Sequence, residues 1–141
     1  MDDLILMVHA AATLYMVGLI WFVQLVHYPL FGDVGEAEYA RYHQAHVART
    51  GLAVGPAMIA EAMSALWIAV AMPGVNPQLA WTGLFLVMFV WLVTALFSVP
   101  AHGRLSDSFD GEVHRKLVST NWLRTIGWSV RGVIALLVMQ G

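Results

Sequence analysis

The chain lacks cysteine altogether and has few charges: only 11% of its 141 residues are Asp, Glu, Lys or Arg. Without cysteine there is no disulfide, iron–sulfur cluster, thiolate zinc site or cysteine nucleophile. The 7 Lys and Arg residues are outnumbered by 9 Asp and Glu residues, which leaves no basic surface for nucleic acid. The sequence also has no glycine-rich phosphate loop, nucleophile elbow or HExxH motif, which disfavours nucleotide-driven transport and serine hydrolysis.

Apolar residues are abundant instead. They make up 60% of the chain, and the mean hydropathy is +0.71, whereas soluble domains contain about 45–50% apolar residues. Four mainly apolar runs have the length of about 20 residues that crosses the hydrocarbon core of a bilayer; they cover residues 4–26, 52–72, 79–99 and 120–139. Asp2 and Asp3 precede the first run where a signal peptide would carry basic residues, so we expect a retained span. The sequence therefore predicts one all-α domain over 1–141, a membrane four-helix bundle with up-down-up-down topology.

The basic residues outside these runs predict the orientation of the bundle. All of them lie in the first and third links, namely Arg41, Arg49, Arg104, Arg115 and Lys116. Positive residues stay on the cytoplasmic side. We therefore expect these two links in the cytoplasm and both termini outside, in a bacterial inner membrane.

Five of the six histidines fall at the cytoplasmic end of the predicted bundle. His27 ends helix one, His43 and His46 precede span two, His102 follows span three, and His114 precedes span four. Imidazoles that separate helices bring to one level are suited to binding a transition metal or haem. We expect His27, His43, His46 and His102 to be the ligands. His114, which precedes Arg115 and Lys116, is expected to lie at the surface.

The sequence does not identify the cofactor of such a site. Nitrogen ligands without sulfur suit iron, copper or zinc. Two histidines that face each other across a bundle can also ligate haem.

Ionisable residues within the spans predict a second polar layer. Because a charge at membrane depth is costly, it faces the bundle interior and usually has a partner. With a rise of about 1.5 Å per residue, Glu61, Arg131 and His9 lie at a similar depth, so we expect an ion pair between Glu61 and Arg131. This pair either fixes helix register or takes part in proton or substrate handling. Arg124 has no carboxylate at its depth and is our candidate for binding an anionic or oxygen-bearing substrate group.

A seven-residue spacing orders the polar residues of the last helix. His114, Asn121 and Trp128 form one series, and Arg124 and Arg131 form another, offset by three residues. Together they make one stripe, which we expect to face inward. A faint internal repeat accompanies it: helix one ends with His27-Tyr28-Pro29 and helix three with Pro100-Ala101-His102, as expected for two related helical hairpins.

The second half of the chain resembles a known family. The segments that carry the resemblance are Val99-Pro100-Ala101-His102-Gly103-Arg104-Leu105 and Thr120-Asn121-Trp122-Leu123-Arg124-Thr125. Both are similar to parts of the small anthrone-oxygenase-like membrane proteins, which have a Val-Pro-Leu-Asn element after helix three and an Asn-x-x-Arg-Thr element in helix four. The resemblance covers mainly residues 99–132, and His102 stands where that family usually has asparagine. It implies four helices and oxygenation of an aromatic substrate without an obvious cofactor.

These observations lead to one principal hypothesis and two alternatives. The first is a membrane oxidoreductase, oxygenase-like, that acts on a hydrophobic aromatic or quinone-like molecule, with Asn121, Arg124 and His102 as catalytic candidates. The second is a haem- or metal-binding protein for electron transfer or carriage, and the third is a small accessory subunit. The expected partners are membrane lipid and a small hydrophobic substrate, with assembly into homo-oligomers left open.

Overall fold

The computed structural model describes residues 2–140, and this part of the chain is mainly helical and contains no strand. Its elements, in chain order, are α1 (Asp2–Phe22), a π-helical segment (Val23–His27), a 3-10 turn (Pro29–Asp33), α2 (Glu36–Ala71), α3 (Pro77–Val93), a second π-helical segment (Thr94–Ser98), α4 (Val99–Arg104) and α5 (Gly111–Gln140). The single-domain prediction also included residues 1 and 141, which lie outside the described residues.

Four continuous helical stretches are long and apolar enough to cross a membrane: Asp2–Asp33, Glu36–Ala71, Pro77–Arg104 and Gly111–Gln140. Each covers one predicted span and extends beyond it, except that the second stretch ends at Ala71, one residue before the predicted end of its span. The largest extension is in α2, which begins at Glu36 because the polar segment before span two is helical as well. The chain is therefore a multi-pass, all-helical protein by the length and composition of its helices.

The four stretches pack as an up-down-up-down bundle in which each helix has two neighbours. The long helix α1 packs against α2 and α5, and α3 packs against the same two helices. This arrangement places α2 and α5 on a diagonal, so only long side chains connect them across the core. The polar stripe of α5 faces that core, since Asn121, Arg124, Trp128 and Arg131 are all buried.

Each of the two π-helical segments precedes a proline by the same distance. Val23–His27 is followed by Pro29, and Thr94–Ser98 is followed by Pro100. Proline lacks an N–H and its ring clashes with the carbonyl one turn earlier, so the preceding turn opens. The wider turn is closed by the N–H of the residue before each proline, which binds a carbonyl five residues back. The predicted repeat of the two helical hairpins thus has a counterpart in the backbone, since the same π-helical segment before proline occurs twice, 71 residues apart.

Glycine permits the closest approach between α3 and α5. A methyl group added at Gly127 would lie 2.6 Å from Cγ1 of Val90, which is shorter than van der Waals contact. At Gly18 of α1, by contrast, an added Cβ meets no atom within 4 Å.

Gly127→Ala is therefore expected to destabilise the bundle. Because Val90 is fully buried, it has no free space into which to move, and overpacking of this kind costs about 1–3 kcal/mol. Thermal unfolding in detergent measures the effect. Gly18→Ala is the matched control and is expected to be neutral or slightly stabilising; equal losses in both variants would contradict the packing argument.

Candidate functional site

Four histidines from three different segments meet at one end of the bundle, and we call them the histidine cluster: His27, His43, His46 and His102. Their ring centroids are 4.5 Å apart for His27 and His46, 5.2 Å for His43 and His102, and 5.3 Å for His46 and His102. These are the four residues that the sequence predicted as ligands, and the structure brings all of them together.

The rings of the cluster hydrogen-bond to each other in two pairs. Nε2 of His27 lies 2.6 Å from Nδ1 of His46, and Nε2 of His43 lies 3.1 Å from Nδ1 of His102. Such contacts suit neutral imidazoles, one of which donates while the other accepts. Within residues 2–140, no group of three or more His, Asp or Glu side chains is arranged to hold a metal ion.

Phe31 fixes the positions of these rings from inside the cluster. Its ring is fully buried, and its centroid lies 5.3 Å from that of His27, 5.5 Å from His43 and 4.9 Å from His46. Phe31 belongs to the 3-10 turn Pro29–Asp33, which follows the first π-helical segment at the end of the first helical stretch. Phe31 is thus a central residue of the site that the sequence did not reveal, since one aromatic residue in a link carries no distinctive pattern.

His114 is half-buried against this turn rather than at the surface, where we expected it. Its Nε2 lies 2.7 Å from the carbonyl oxygen of Tyr28, and its ring packs against Phe109 and Phe31. The difference arises because the 3-10 turn covers the first turns of α5. His114 therefore supports the backbone of the turn and does not bond to the rings of the cluster.

Tyr28 connects the cluster to a second polar group deeper in the bundle. Its hydroxyl lies 2.9 Å from Nε2 of His102 and is buried. The guanidinium of Arg124 is close enough for its charge to act on both Tyr28 and His102. The predicted catalytic residues His102 and Arg124 are consequently neighbours in the bundle, and no hydrogen bond between the described side chains joins Arg124 to Tyr28 or His102.

Arg124 is held by neutral groups alone, as the sequence predicted. It donates to Oδ1 of Asn121 at 2.9 Å and to Oγ of Ser98 at 3.2 Å, and its Cζ lies 5.2 Å from the ring centroid of Trp128. Nδ2 of Asn121 in turn donates to Oε1 of Gln24 at 2.9 Å. Gln24 and Ser98 each belong to one of the π-helical segments, so the widened turns supply the polar lining around Arg124.

Three buried polar atoms of the described residues lack a hydrogen-bond partner, and all three lie at this end of the bundle. They are Oη of Tyr39, Nδ1 of His43 and Nε of Arg124. Tyr39 stacks on the ring of His43 at a centroid distance of 5.7 Å. Burying a polar atom without a partner is costly. The unpartnered atoms of Tyr39 and His43 at the cluster, and that of Arg124 deeper in the bundle, therefore indicate places where a ligand or water completes the structure.

A groove on the outside of the bundle leads to one edge of the cluster. It has a volume of about 220 Å³ and is lined by His27, Tyr42, Ala45, His46, Arg49 and Thr50. The hydroxyl of Thr50 lies 3.0 Å from Nδ1 of His46. The first pair of histidines is therefore reachable from outside, whereas His43 is fully buried.

The far half of the bundle contains the predicted outer layer. Nε of Arg131 lies 2.8 Å from Oε1 of Glu61, and Nε1 of Trp128 donates to Oε2 of Glu61 at 3.0 Å. Arg131 also donates to the carbonyl of Gly83 in α3 and to Oγ1 of Thr13 in α1. Both charged residues are buried almost completely.

His9 completes this layer. Its Nδ1 lies 2.9 Å from Oγ of Ser64, one turn from Glu61 on α2. The ionic groups and the histidine of this layer thus have partners, which marks it as a structural centre and distinguishes it from the histidine end.

Comparison of the chain with models of known protein families, with characterised proteins and with solved structures found no match.

Glu61→Ala is expected to destabilise the protein strongly, because it leaves Arg131 charged and unpaired in the core. Removing one partner of a buried pair costs about 3–5 kcal/mol. The free energy of unfolding in detergent gives the result. Glu38→Ala, which removes a carboxylate from an exposed pair with Arg41, is the control and is expected to have little effect. A Glu61→Met and Arg131→Met double variant should recover part of the loss; similar stabilities for Glu61→Ala and Glu38→Ala would count against the pair's structural role.

Proposed function

We propose that this protein is a membrane-embedded oxidoreductase and that its active site consists of the histidine cluster, Tyr28 and Arg124. In this proposal the cluster binds a transition-metal ion. The observation that carries the proposal is the convergence of four imidazoles, one of which, His43, has a buried nitrogen without a hydrogen-bond partner. A purely structural core satisfies its polar atoms, as the Glu61–Arg131 layer does.

The donor set suits a metal that accepts nitrogen ligands. Two ligands of one tetrahedral ion, each about 2.0–2.1 Å from it, are separated by about 3.3 Å. Nε2 of His43 and Nδ1 of His102 lie 3.1 Å apart, so an ion could replace this hydrogen bond with small movements. The shorter His27–His46 contact needs a ring rotation, which the open groove beside it permits. Iron, copper and zinc all accept imidazole, and a redox role favours the first two.

A haem fits this arrangement less well than a single ion. Two axial histidines have to stand apart, with the iron between them. Here the nitrogens of each pair are in direct contact, and Phe31 occupies the space among the rings.

The groups around Arg124 suit an oxygen-bearing, hydrophobic substrate. Nε of Arg124 is unpartnered, and the surrounding polar groups are neutral. A guanidinium in a dry site stabilises negative charge that develops on a substrate oxygen. With Nδ1 on the ion, His102 would donate its Nε2–H to the hydroxyl of Tyr28 and orient that hydroxyl. The resemblance to the anthrone-oxygenase-like family points to the same substrate class, an aromatic or quinone-like molecule.

A cofactor-free reaction is the second candidate. The specific observation in its favour is that the cluster's rings already bond in pairs, with no preformed metal group among the described residues. In that case His102 acts as the base and Arg124 with Asn121 stabilises the substrate oxyanion, as the resemblance implies.

Metal content separates the two candidates. Protein purified in mild detergent and incubated with iron(II), copper(II) or zinc is expected to retain close to one ion, measured by mass spectrometry beside the absorption spectrum. His27→Ala and His46→Ala are expected to lose that ion because each removes a ligand. His9→Ala removes a buried histidine outside the cluster and should retain it.

Thermal unfolding of each variant shows whether it is folded, so that a lost ion is not confused with a lost structure. The metal proposal would be overturned if wild-type protein holds no ion, or if folded cluster variants bind as much metal as His9→Ala does. The cofactor-free candidate would then remain, and Arg124 and Asn121 would be the residues to replace.

We also propose that the chain lies in a bacterial inner membrane with both termini outside and the histidine end in the cytoplasm. The charge bias of the links supports this orientation.

Single cysteines introduced into this cysteine-free chain test the orientation directly. Gly74→Cys, in the turn between α2 and α3, is expected to react with a membrane-impermeant maleimide in cells whose outer membrane is permeabilised. Ser108→Cys, exposed between α4 and α5, is expected to react only after lysis. The opposite pattern would reverse the orientation.

A further inference from the structure

A second pocket lies on another face of the same end of the bundle, between the end of the third spanning stretch and the start of α5. It has a volume of about 210 Å³, and its lining includes Arg104 and Lys116 beside Leu96, Phe97, Pro100 and Val113. We call it the Arg104 pocket. It contains no residue of the histidine cluster.

The two charged residues that line this pocket are both positive, and Glu112, one turn before Lys116 on α5, is not part of the lining. The described residues form two ion pairs, Glu38–Arg41 and Glu61–Arg131, and neither involves Arg104 or Lys116. The nearby carboxylates of the link between α4 and α5 do not line the pocket, and Asp110 accepts hydrogen bonds from the backbone at the start of α5. Two adjacent cations are thus left to bind an anion from outside.

The opposite wall of the pocket is apolar and continues toward the middle of the predicted span. Leu96 and Phe97 lie about two turns before Arg104, and both are exposed on the outside of the bundle. Lipid hydrocarbon is the medium that such side chains require in a membrane protein. A ligand of this pocket therefore needs an anionic group at the level of Arg104 and Lys116 and a hydrocarbon part that follows Leu96 and Phe97.

We propose that the Arg104 pocket binds an anionic phospholipid. Its phosphate contacts Arg104 and Lys116, and its acyl chains lie along Leu96 and Phe97. Basic pockets between spanning helices bind the headgroups of anionic lipids in the cytoplasmic leaflet, which is where the charge bias places these residues. In this proposal the lipid is bound at the surface of the folded protein and takes no part in the chemistry of the histidine cluster.

The test compares lipid retention by the full chain in mild detergent. Protein is titrated with phosphatidylglycerol or phosphatidylcholine, and bound lipid is counted by native mass spectrometry. Wild-type protein is expected to retain phosphatidylglycerol in preference. An Arg104→Gln and Lys116→Gln double variant is expected to bind it about tenfold or more weakly, because two phosphate contacts are lost.

Arg41→Gln with Arg115→Gln is the matched control, since it removes two positive charges at the same end without altering the pocket lining. It is expected to bind phosphatidylglycerol within about twofold of wild type. Equal binding of the two lipids, or equal losses in the control and the pocket variant, would overturn the proposal. Displacement of the lipid by millimolar inorganic phosphate would also overturn it, because it would indicate a site for a free anion. A pocket variant with an altered oligomeric state but unaltered lipid binding would overturn it as well, because it would indicate that a second copy of the chain covers the pocket. Metal binding by the histidine cluster is expected to be unchanged in both variants, so this test and the test of the proposed function fail independently.

Discussion

The contacts of Arg131 involve all four spanning stretches. From α5 it reaches Glu61 on α2, the carbonyl of Gly83 on α3 and Thr13 on α1. Hydrocarbon offers no partner to a charge, so this side chain can be satisfied only if the four helices stand at a particular height and rotation. The rotation that places Arg131 in the core also turns Asn121, Arg124 and Trp128 inward, because they share its face. The position of the candidate site thus depends on an ion pair that takes no part in it.

The two polar layers differ in how completely their groups are paired. In the Arg131 layer the carboxylate accepts from both an arginine and a tryptophan, and His9 is hydrogen-bonded to Ser64. At the other end, Nδ1 of His43 and Nε of Arg124 are buried without partners. A folded chain tolerates such costs chiefly at sites that bind something. This contrast is why we assign structure to one layer and chemistry to the other.

Spacing alone predicted those features that a straight helix determines. The four spans, the inward stripe of α5, the convergence of four histidines and the Glu61–Arg131 pair all follow from depth and helical face. The features that depend on bent backbone were not predictable in the same way. The π-helical segments turn Gln24 and Ser98 toward Arg124, and the 3-10 turn inserts Phe31 among the rings and covers His114. These follow from how the chain adapts around Pro29 and Pro100, which a regular periodicity does not describe.

Trp128 lies between the two polar layers, so its chemistry decides whether a proton can pass through it from one layer to the other. It contacts Arg124 through its ring and Glu61 through its N–H, and it packs in a core that includes Met16, Ile20 and Val90. An indole N–H donates but cannot accept a proton in exchange, so this residue interrupts any relay between the histidine end and the Glu61 end. If the histidines carry out redox chemistry, its protons would therefore not pass to the Glu61 end through Trp128.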